Sequence, residues 1–208
     1  MSSTYNIAID GPAGAGKSTI AKLVAAKLGF IYVDTGAMYR TMALYFLRKG
    51  VDKNDEAAVN KACMEVSISI AYENGAQHVL LNGEDVSDAI RTPEIAYYAS
   101  KVSAVPEVRE FLLSTQRDMA KNGNILMDGR DIGTVILPDA PVKIFLTASS
   151  ESRAERRYKE LIEKGQQVTM ESVLHDINER DRQDMNRAIA PLRQAEDAVL
   201  LDTSALTL

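Results

Sequence analysis

The segment from Gly11 to Thr19 has the spacing G-x-x-x-x-G-K-[ST], the pattern of a phosphate-binding loop. Glycines let the backbone wrap around phosphate oxygens with its N–H groups pointing inward. Lys17 can reach the β- and γ-phosphates, and the Ser18 hydroxyl can ligate Mg²⁺. We therefore predict that a nucleoside triphosphate binds this loop, in preference to a turn with chance glycines. Its residues are Gly11, Pro12, Ala13, Gly14, Ala15, Gly16, Lys17, Ser18 and Thr19.

Other charged residues follow apolar runs, where strands would end. Asp128 closes the run 125–127, which makes it the candidate carboxylate for a metal ion or its water shell. Arg130 and Asp131 come directly after it, and Arg40 follows an earlier apolar run. Ligands of open α/β folds bind at the carboxyl ends of strands. We interpret these residues as part of a second anion site, the alternatives being a solvated helix residue and a loop ion pair.

Two polar segments near the carboxyl end add more arginines. Arg180, Asp184 and Arg187 have the spacing i, i+4, i+7, which puts them on one face of a helix. Alone they would indicate a solvated face with weak ion pairs. Together with the loop and the strand-end arginines, they predict a clamp on a second phosphate. An earlier polar helix carries three arginines that could close over the triphosphate: Arg153, Arg156 and Arg157.

The elements that must position these residues alternate between strand and helix patterns. Strands at 5–10 and 30–33 are each followed by a helix, at 18–28 and 37–48, and glycines end both helices. This alternation predicts an α/β fold with a parallel sheet. The other predicted elements are antiparallel strands at 66–70 and 79–81 with a turn at 73–76, helices at 93–102, 106–121, 150–163 and 169–187, and strands at 125–127, 142–146 and 198–201.

Composition narrows the class of protein. The 208 residues are 46% apolar and 25% charged, as in globular proteins, and no apolar run reaches the roughly 18 residues of a membrane span. A net charge of −5 argues against broad binding to nucleic acid or membrane surfaces. The single cysteine, Cys63, excludes an internal disulfide and a thiolate metal cluster. We expect a cytoplasmic monomer with small-molecule ligands, no nucleic-acid partner and no membrane association.

Five motifs in order resemble those of bacterial cytidylate kinases, over residues 5–203. They are Ile7–Ser18, Asp34–Arg40, Ser100–Ser103, Asp128–Thr134 and Glu179–Arg187. The resemblance implies transfer of a phosphoryl group from ATP, with Mg²⁺, to CMP or dCMP. It implies an α/β P-loop parallel sheet flanked by helices, with a small antiparallel NMP-binding insert and a helical lid. The implied regions are a core at 1–63, 93–150 and 188–208 (with 93–121 contributing to the NMP site), an insert at 64–92 and a lid region at 151–187.

The same resemblance implies roles for individual residues. Base contacts fall on Ser100, Arg109 and Asp131. Acceptor phosphate contacts fall on Arg40, Arg130 and Arg187, and sugar contacts on Arg180 and Asp184, with Thr35 at a further hydroxyl position. Catalysis is assigned to Lys17, Arg40, Arg130, Arg187 and the lid arginine Arg157, and metal binding to Ser18 and Asp128, directly or through water.

Two alternatives and one departure accompany this prediction. A kinase for another small acceptor, such as UMP, AMP or shikimate, would use the same phosphate loop. A nucleotide-sensing protein without turnover would also bind there, although the full set of arginines argues against it. Members of the family continue into a terminal helix where this sequence ends at Leu208. We expect reduced stability rather than lost chemistry, because no matched site residue lies beyond Arg187.

Overall fold

Strand β1 (Ile7–Asp10) lies at the centre of a five-stranded sheet, between β6 (Ile125–Gly129) and β7 (Val142–Thr147), and pairs in parallel with both. Strand β8 (Val199–Asp202) extends the sheet in parallel beside β7, and β2 (Ile31–Asp34) follows β6 on the other side. All four residues of β1 are buried, as expected for the central strand of a parallel sheet. In this computed structural model, residues 4–73 and 76–206 are described.

The chain divides into two units. Unit 1 comprises Met1–Tyr32 and Gly123–Leu208, and unit 2 comprises Val33–Asn122. Unit 1 contains three α-helices among its described residues: α1 (Lys17–Leu28), α6 (Ser150–Glu163) and α7 (Met170–Asn186). Small residues of α1, including Ala21 and Ala25, pack against Ile7 and Ile9 of β1, so the helix that follows the glycine-rich loop lies directly on the sheet.

Helices α6 and α7 pack against each other through an apolar cluster of their own. Its buried members are Ala154 and Leu161 of α6 and Val173 and Ile177 of α7. A capping box at Thr169 and Ser172 begins α7, since each side chain accepts from the backbone N–H of the other residue. This helix pair is therefore held together independently of its charged residues.

Unit 2 combines helices with a small antiparallel sheet. Helix α2 (Thr35–Lys49) provides its core, because Met38, Met42 and Phe46 are fully buried. Asp34 caps that helix by accepting from the N–H of Ala37. The other elements are α3 (Glu56–Glu65), β3 (Ile68–Glu73), β4 (Ala76–Leu81), β5 (Glu84–Asp85), α4 (Pro93–Val102) and α5 (Pro106–Lys121), with sheet order β3-β4-β5.

The predicted fold class is confirmed, with both the parallel sheet and the small antiparallel sheet in place. Helices α4, α5 and α6 have the predicted bounds, and the boundaries of the other predicted elements shift by at most three residues. The strand predicted at 66–70 begins instead at Ile68. Residues 74 and 75 of the predicted turn lie outside the described part of the chain. Helix α3, strand β5 and the π-helical turn Ile132–Ile136 were not predicted.

None of the helices in the described part of the chain combines the length and the apolar character that crossing a bilayer requires.

The first residue of the glycine-rich loop packs against the sheet with no space to spare. Gly11 has a φ of 147°, and a Cβ built there would lie 1.9 Å from the carbonyl oxygen of Leu146 in β7. Gly165, in the turn between α6 and α7, also has a positive φ of 73°, but a Cβ there would meet no described atom within 4 Å. The two glycines therefore share a backbone requirement and differ in steric surroundings.

We expect Gly11→Ala to lower the free energy of unfolding by about 3 kcal/mol or more, since strain and backbone displacement add. Gly165→Ala, the matched control, should cost only about 1–2 kcal/mol, the penalty for the positive φ alone. Urea denaturation of the two variants measures the difference. Equal losses would show that the contact with Leu146 does not constrain the loop.

Candidate functional site

The glycine-rich loop joins β1 to α1 at the carboxyl end of the central strand. Gly16 precedes α1 in the left-handed conformation, with φ of 87° and ψ of 7°, and no side chain caps the first turn of the helix. Backbone N–H groups at such a helix start carry a partial positive charge and are suited to bind an anion. Lys17 is buried, and its Nζ donates to the carbonyl oxygen of Pro12 at 2.8 Å. The predicted phosphate-binding loop therefore has the expected location and folds around its lysine.

Ser18 and Asp128 are brought together as the metal prediction requires. The Ser18 hydroxyl donates to Oδ2 of Asp128 at 2.9 Å. The other carboxylate oxygen, Oδ1, accepts from the hydroxyl of Tyr32 at 2.9 Å, and both Asp128 and Tyr32 are buried. Tyr32 was not predicted to be part of the site. The available signal was a tyrosine within an apolar strand, because a buried phenol needs a hydrogen-bond partner.

The electrostatic environment of Lys17 is set first by burial, which lowers the pKa of its ammonium group to about 7. The positive charges of Arg130 and Arg180 lower it further, whereas Asp128 and Asp10 oppose this change. The loop is thus a desolvated cationic site with two other cations nearby. Such a site gains from the arrival of a negatively charged ligand.

Asp10, the last residue of β1, links the loop to the segment that follows β6. Its two carboxylate oxygens accept from the backbone N–H groups of Ile132 and Gly133, each at 2.7 Å. Only 4% of the residue is exposed, and burial raises the pKa of its carboxyl group to about 6. Asp10 was not predicted to be part of the site, although it closes an apolar run as Asp128 does. Its contacts position the backbone immediately after Asp131.

In unit 1, one ion-pair network joins four of the predicted acceptor-site residues, Arg130, Asp131, Asp184 and Arg187. Nε of Arg130 donates to Oδ2 of Asp184 at 2.8 Å. Arg187 lies 3.4 Å from Asp131 and 3.8 Å from Asp184. Burial favours the neutral acid at Asp184, but the charges of Arg130, Arg180 and Arg187 and the hydrogen bond from Arg130 together outweigh it, so the pKa of Asp184 lies below its usual value. Arg180 is exposed on α7, and its charge also acts on Asp184.

Unit 2 contains the four other predicted acceptor residues. Arg40 donates from Nη2 to Oδ2 of Asp34 at 2.9 Å, so the residue that caps α2 also orients its arginine. Arg109 is buried on α5, and its guanidinium carbon lies 5.6 Å from the centre of the Tyr39 ring. The remaining two are Thr35, buried at the start of α2, and Ser100, partly buried on α4.

The three arginines of α6 have different surroundings. Arg157 pairs with Glu160 at 2.7 Å, and 42% of its side chain is exposed. Arg156 donates to the side-chain and carbonyl oxygens of Thr203. Arg153 is buried and pairs with Asp181 of α7. All three arginines thus hold protein groups in this structure, and their closure over a triphosphate stays a prediction.

The described residues contain no group of three or more His, Cys, Asp or Glu side chains that could hold a metal ion. Mg²⁺ is commonly held by one or two protein oxygens together with phosphate oxygens and water. The oxygens of Ser18 and Asp128 fit that mode of binding. A complete set of protein ligands around the ion is not formed by the described residues.

Known proteins resemble the chain along most of its length. A family model described as cytidylate kinase matches residues 7–208. A cytidylate kinase from Caldicellulosiruptor saccharolyticus is 53% identical over 203 residues, 98% of this chain and 90% of that protein. One from Carboxydothermus hydrogenoformans is 50% identical over 200 residues, 96% of this chain and 90% of that protein. An uncharacterized protein from Eubacterium ventriosum has a similar fold, with a TM-score of 0.50 and 12% identity over 97% of this chain and 91% of that chain.

The raised pKa of Asp10 predicts a pH dependence of stability. An unfolded aspartate titrates near 3.8, so between that pH and about 6 the folded protein retains a proton that the unfolded chain releases. The contribution of Asp10 to the free energy of unfolding therefore falls as pH rises through this window, by about 3 kcal/mol at most. Asp131 and Lys17 are the charged groups that act on Asp10 there, in opposite directions.

Asp10→Asn removes this titration while keeping the size of the side chain. We expect the difference in unfolding free energy, wild type minus variant, to decrease as pH rises from about 4 to about 7. Chemical denaturation across that range measures it. A difference that stays constant with pH would contradict the raised pKa of Asp10, whatever the fixed cost of the lost acceptor.

Proposed function

The chain belongs to the cytidylate kinase family, and from that premise we propose that it transfers the γ-phosphoryl group of ATP to CMP or dCMP, giving ADP and CDP or dCDP. The observation that carries the proposal is the presence of two cationic groups in unit 1. One is the phosphate loop with its buried Lys17, and the other is the pair Arg130 and Arg187 within a carboxylate network. Two nucleotide anions require two such groups.

The loop from Gly11 to Thr19 is the proposed site of the ATP phosphates. Its helix start and Lys17 provide donors and positive charge where the β- and γ-phosphates would bind. Ser18 and Asp128 would hold Mg²⁺, directly or through water, with Tyr32 fixing the orientation of the carboxylate. When bound, the metal ion neutralises charge on the β- and γ-phosphate oxygens.

The acceptor needs no general base in this mechanism. Its nucleophile is a phosphate oxygen of CMP, which is already ionised at neutral pH, so positioning and charge stabilisation account for the acceleration. Arg130 and Arg187 would offset the repulsion between the two anions and orient the attack. Lys17 and Arg157 would stabilise the negative charge that develops during transfer. Exclusion of water by the helical lid region would suppress hydrolysis of ATP.

Asp131 is the residue proposed to recognise the base. A carboxylate accepts a hydrogen bond from the exocyclic N4 amine of cytosine, whereas uracil has an oxygen at that position and would leave two acceptors facing each other. Sites with buried polar groups left unpaired discriminate strongly. Arg180 and Asp184 are proposed for the sugar, and the four assignments in unit 2 (Thr35, Arg40, Ser100 and Arg109) stay predictions from the family resemblance.

A panel of acceptors tests the function. The protein is titrated with CMP, dCMP, UMP or AMP at fixed MgATP, and the diphosphate formed is measured. CMP and dCMP should be converted far faster than UMP and AMP. Faster conversion of UMP or AMP would instead assign a kinase for that acceptor, and ATP binding without release of ADP for any acceptor would indicate a sensing protein.

Arg130→Ala should lower the turnover number by about 10²- to 10³-fold, the effect of losing one transition-state donor. Steady-state kinetics with MgATP and CMP measures it. Arg182→Ala is the matched control, because Arg182 is 68% exposed on α7, pairs with Glu179 and is assigned no role in the site. Turnover of Arg130→Ala close to that of the control would remove Arg130 from the mechanism.

A further inference from the structure

A buried ion pair contacts the phosphate loop from the direction of α6 and α7. Nη2 of Arg153 lies 2.7 Å from Oδ2 of Asp181, and their side chains are 6% and 11% exposed. Neither residue has a role in the proposed transfer. Both also bind the main chain of Ala13, the third residue of the loop. Helices α6 and α7, which lie between β7 and β8 in the chain, are thereby joined to the loop by one charged pair.

The guanidinium group of Arg153 makes three polar contacts. Nη1 donates to the carbonyl oxygen of Ala13 at 2.9 Å, Nε donates to the carbonyl oxygen of Ala148 at 2.9 Å, and Nη2 pairs with Asp181. The remaining carboxylate oxygen of Asp181 accepts from the N–H of Ala13 at 3.4 Å. Both polar groups of one residue of the loop are thus held by the pair. Only the planar fork of arginine can make all three contacts at once.

The orientation of the Ala13 peptide matters because the loop must present N–H groups to an anion. A carbonyl oxygen turned toward phosphate would repel it, so the carbonyls of such a loop must be directed elsewhere. Lys17 holds the carbonyl of Pro12, and Arg153 holds the next one. These two cations together fix the backbone at the beginning of the loop.

We propose that Arg153 and Asp181 are a positioning pair, which holds the Ala13 peptide in the orientation that binding of ATP phosphates requires. This inference rests on the proposed ATP site. Because the apolar cluster of Ala154, Leu161, Val173 and Ile177 packs α6 on α7 without the ion pair, removal of the pair leaves these helices together. The effect is therefore confined to the triphosphate, while the acceptor residues of α7 keep their places.

The test replaces both charges by apolar side chains of similar length, in the double variant Arg153→Met/Asp181→Leu. Removing both partners leaves no unpaired buried charge, so the variant is expected to fold. Calorimetric titration with MgATP in the absence of CMP should show binding weakened roughly ten- to hundred-fold, as for the loss of a hydrogen bond to a charged group. Titration with CMP alone should be unchanged, and the KM for ATP should rise without a rise in the KM for CMP.

Two further variants make the result decisive. Arg153→Lys keeps the charge beside Asp181 but cannot make all three contacts, so it should weaken ATP binding to an intermediate degree. Glu179→Leu/Arg182→Met removes an ion pair of the same helix that is exposed, and both titrations should match the unaltered protein. If the first double variant fails to fold, Arg153→Lys decides by the same comparison.

ATP binding that stays unchanged, or that weakens to the same extent as CMP binding, would overturn the proposal. Release of ADP that depends on CMP is measured first with the unaltered protein. Its absence would refute the proposed kinase activity, whereas the effect of the pair on MgATP binding is measured without any turnover.

Discussion

The arrangement of the site depends on the parallel register between β1 and β6. Asp10 is the partner of Gly129 in that register, and Ile9 is the partner of Asp128. The loop after β1 and the segment Arg130–Asp131 after β6 therefore begin side by side at the same edge of the sheet. Each carboxylate then serves the neighbouring segment, because Asp10 binds the backbone after β6 and Asp128 binds Ser18 of α1. A change of register would separate all of these contacts.

Burial makes the charges at this edge interdependent. Lys17, Asp10 and Asp128 are all withdrawn from water, and the pKa values of Lys17 and Asp10 move in the directions that favour their neutral forms. Arg130 resists the same change because the carboxylates of Asp184, Asp128 and Asp181 together outweigh the effect of burial and hold the pKa of Arg130 above its ordinary value. The network in unit 1 is therefore charged at its carboxylate-paired arginines, whereas burial brings the pKa of Lys17 to about 7. A phosphate bound to the loop would raise the pKa of Lys17 and favour its charged form.

Much of this could be predicted from local sequence. The glycine spacing of Gly11 to Thr19 and the apolar run before Asp128 each report a short-range requirement, and the structure places both as predicted. The partners of buried groups were not predictable in the same way. Tyr32 and Asp181 reach their partners from 96 and 168 residues away in sequence, and no periodicity reports such a distance. Arg153 was predicted only as one of three arginines that could close over the triphosphate, and its burial against the carbonyl oxygen of Ala13 was not foreseen.

The contact between Lys17 and the carbonyl of Pro12 has an energetic consequence. In the absence of nucleotide, the ammonium group of Lys17 already has a hydrogen-bond acceptor within the protein, so it is not left as a buried cation without a partner. A phosphate oxygen that takes this position exchanges one acceptor for another, and its net gain is the difference between the two bonds rather than the full strength of either. Free inorganic anions make few other contacts, so this exchange of acceptors would add little to their binding free energy. The loop lysine thus favours ligands whose other atoms make further contacts with the protein.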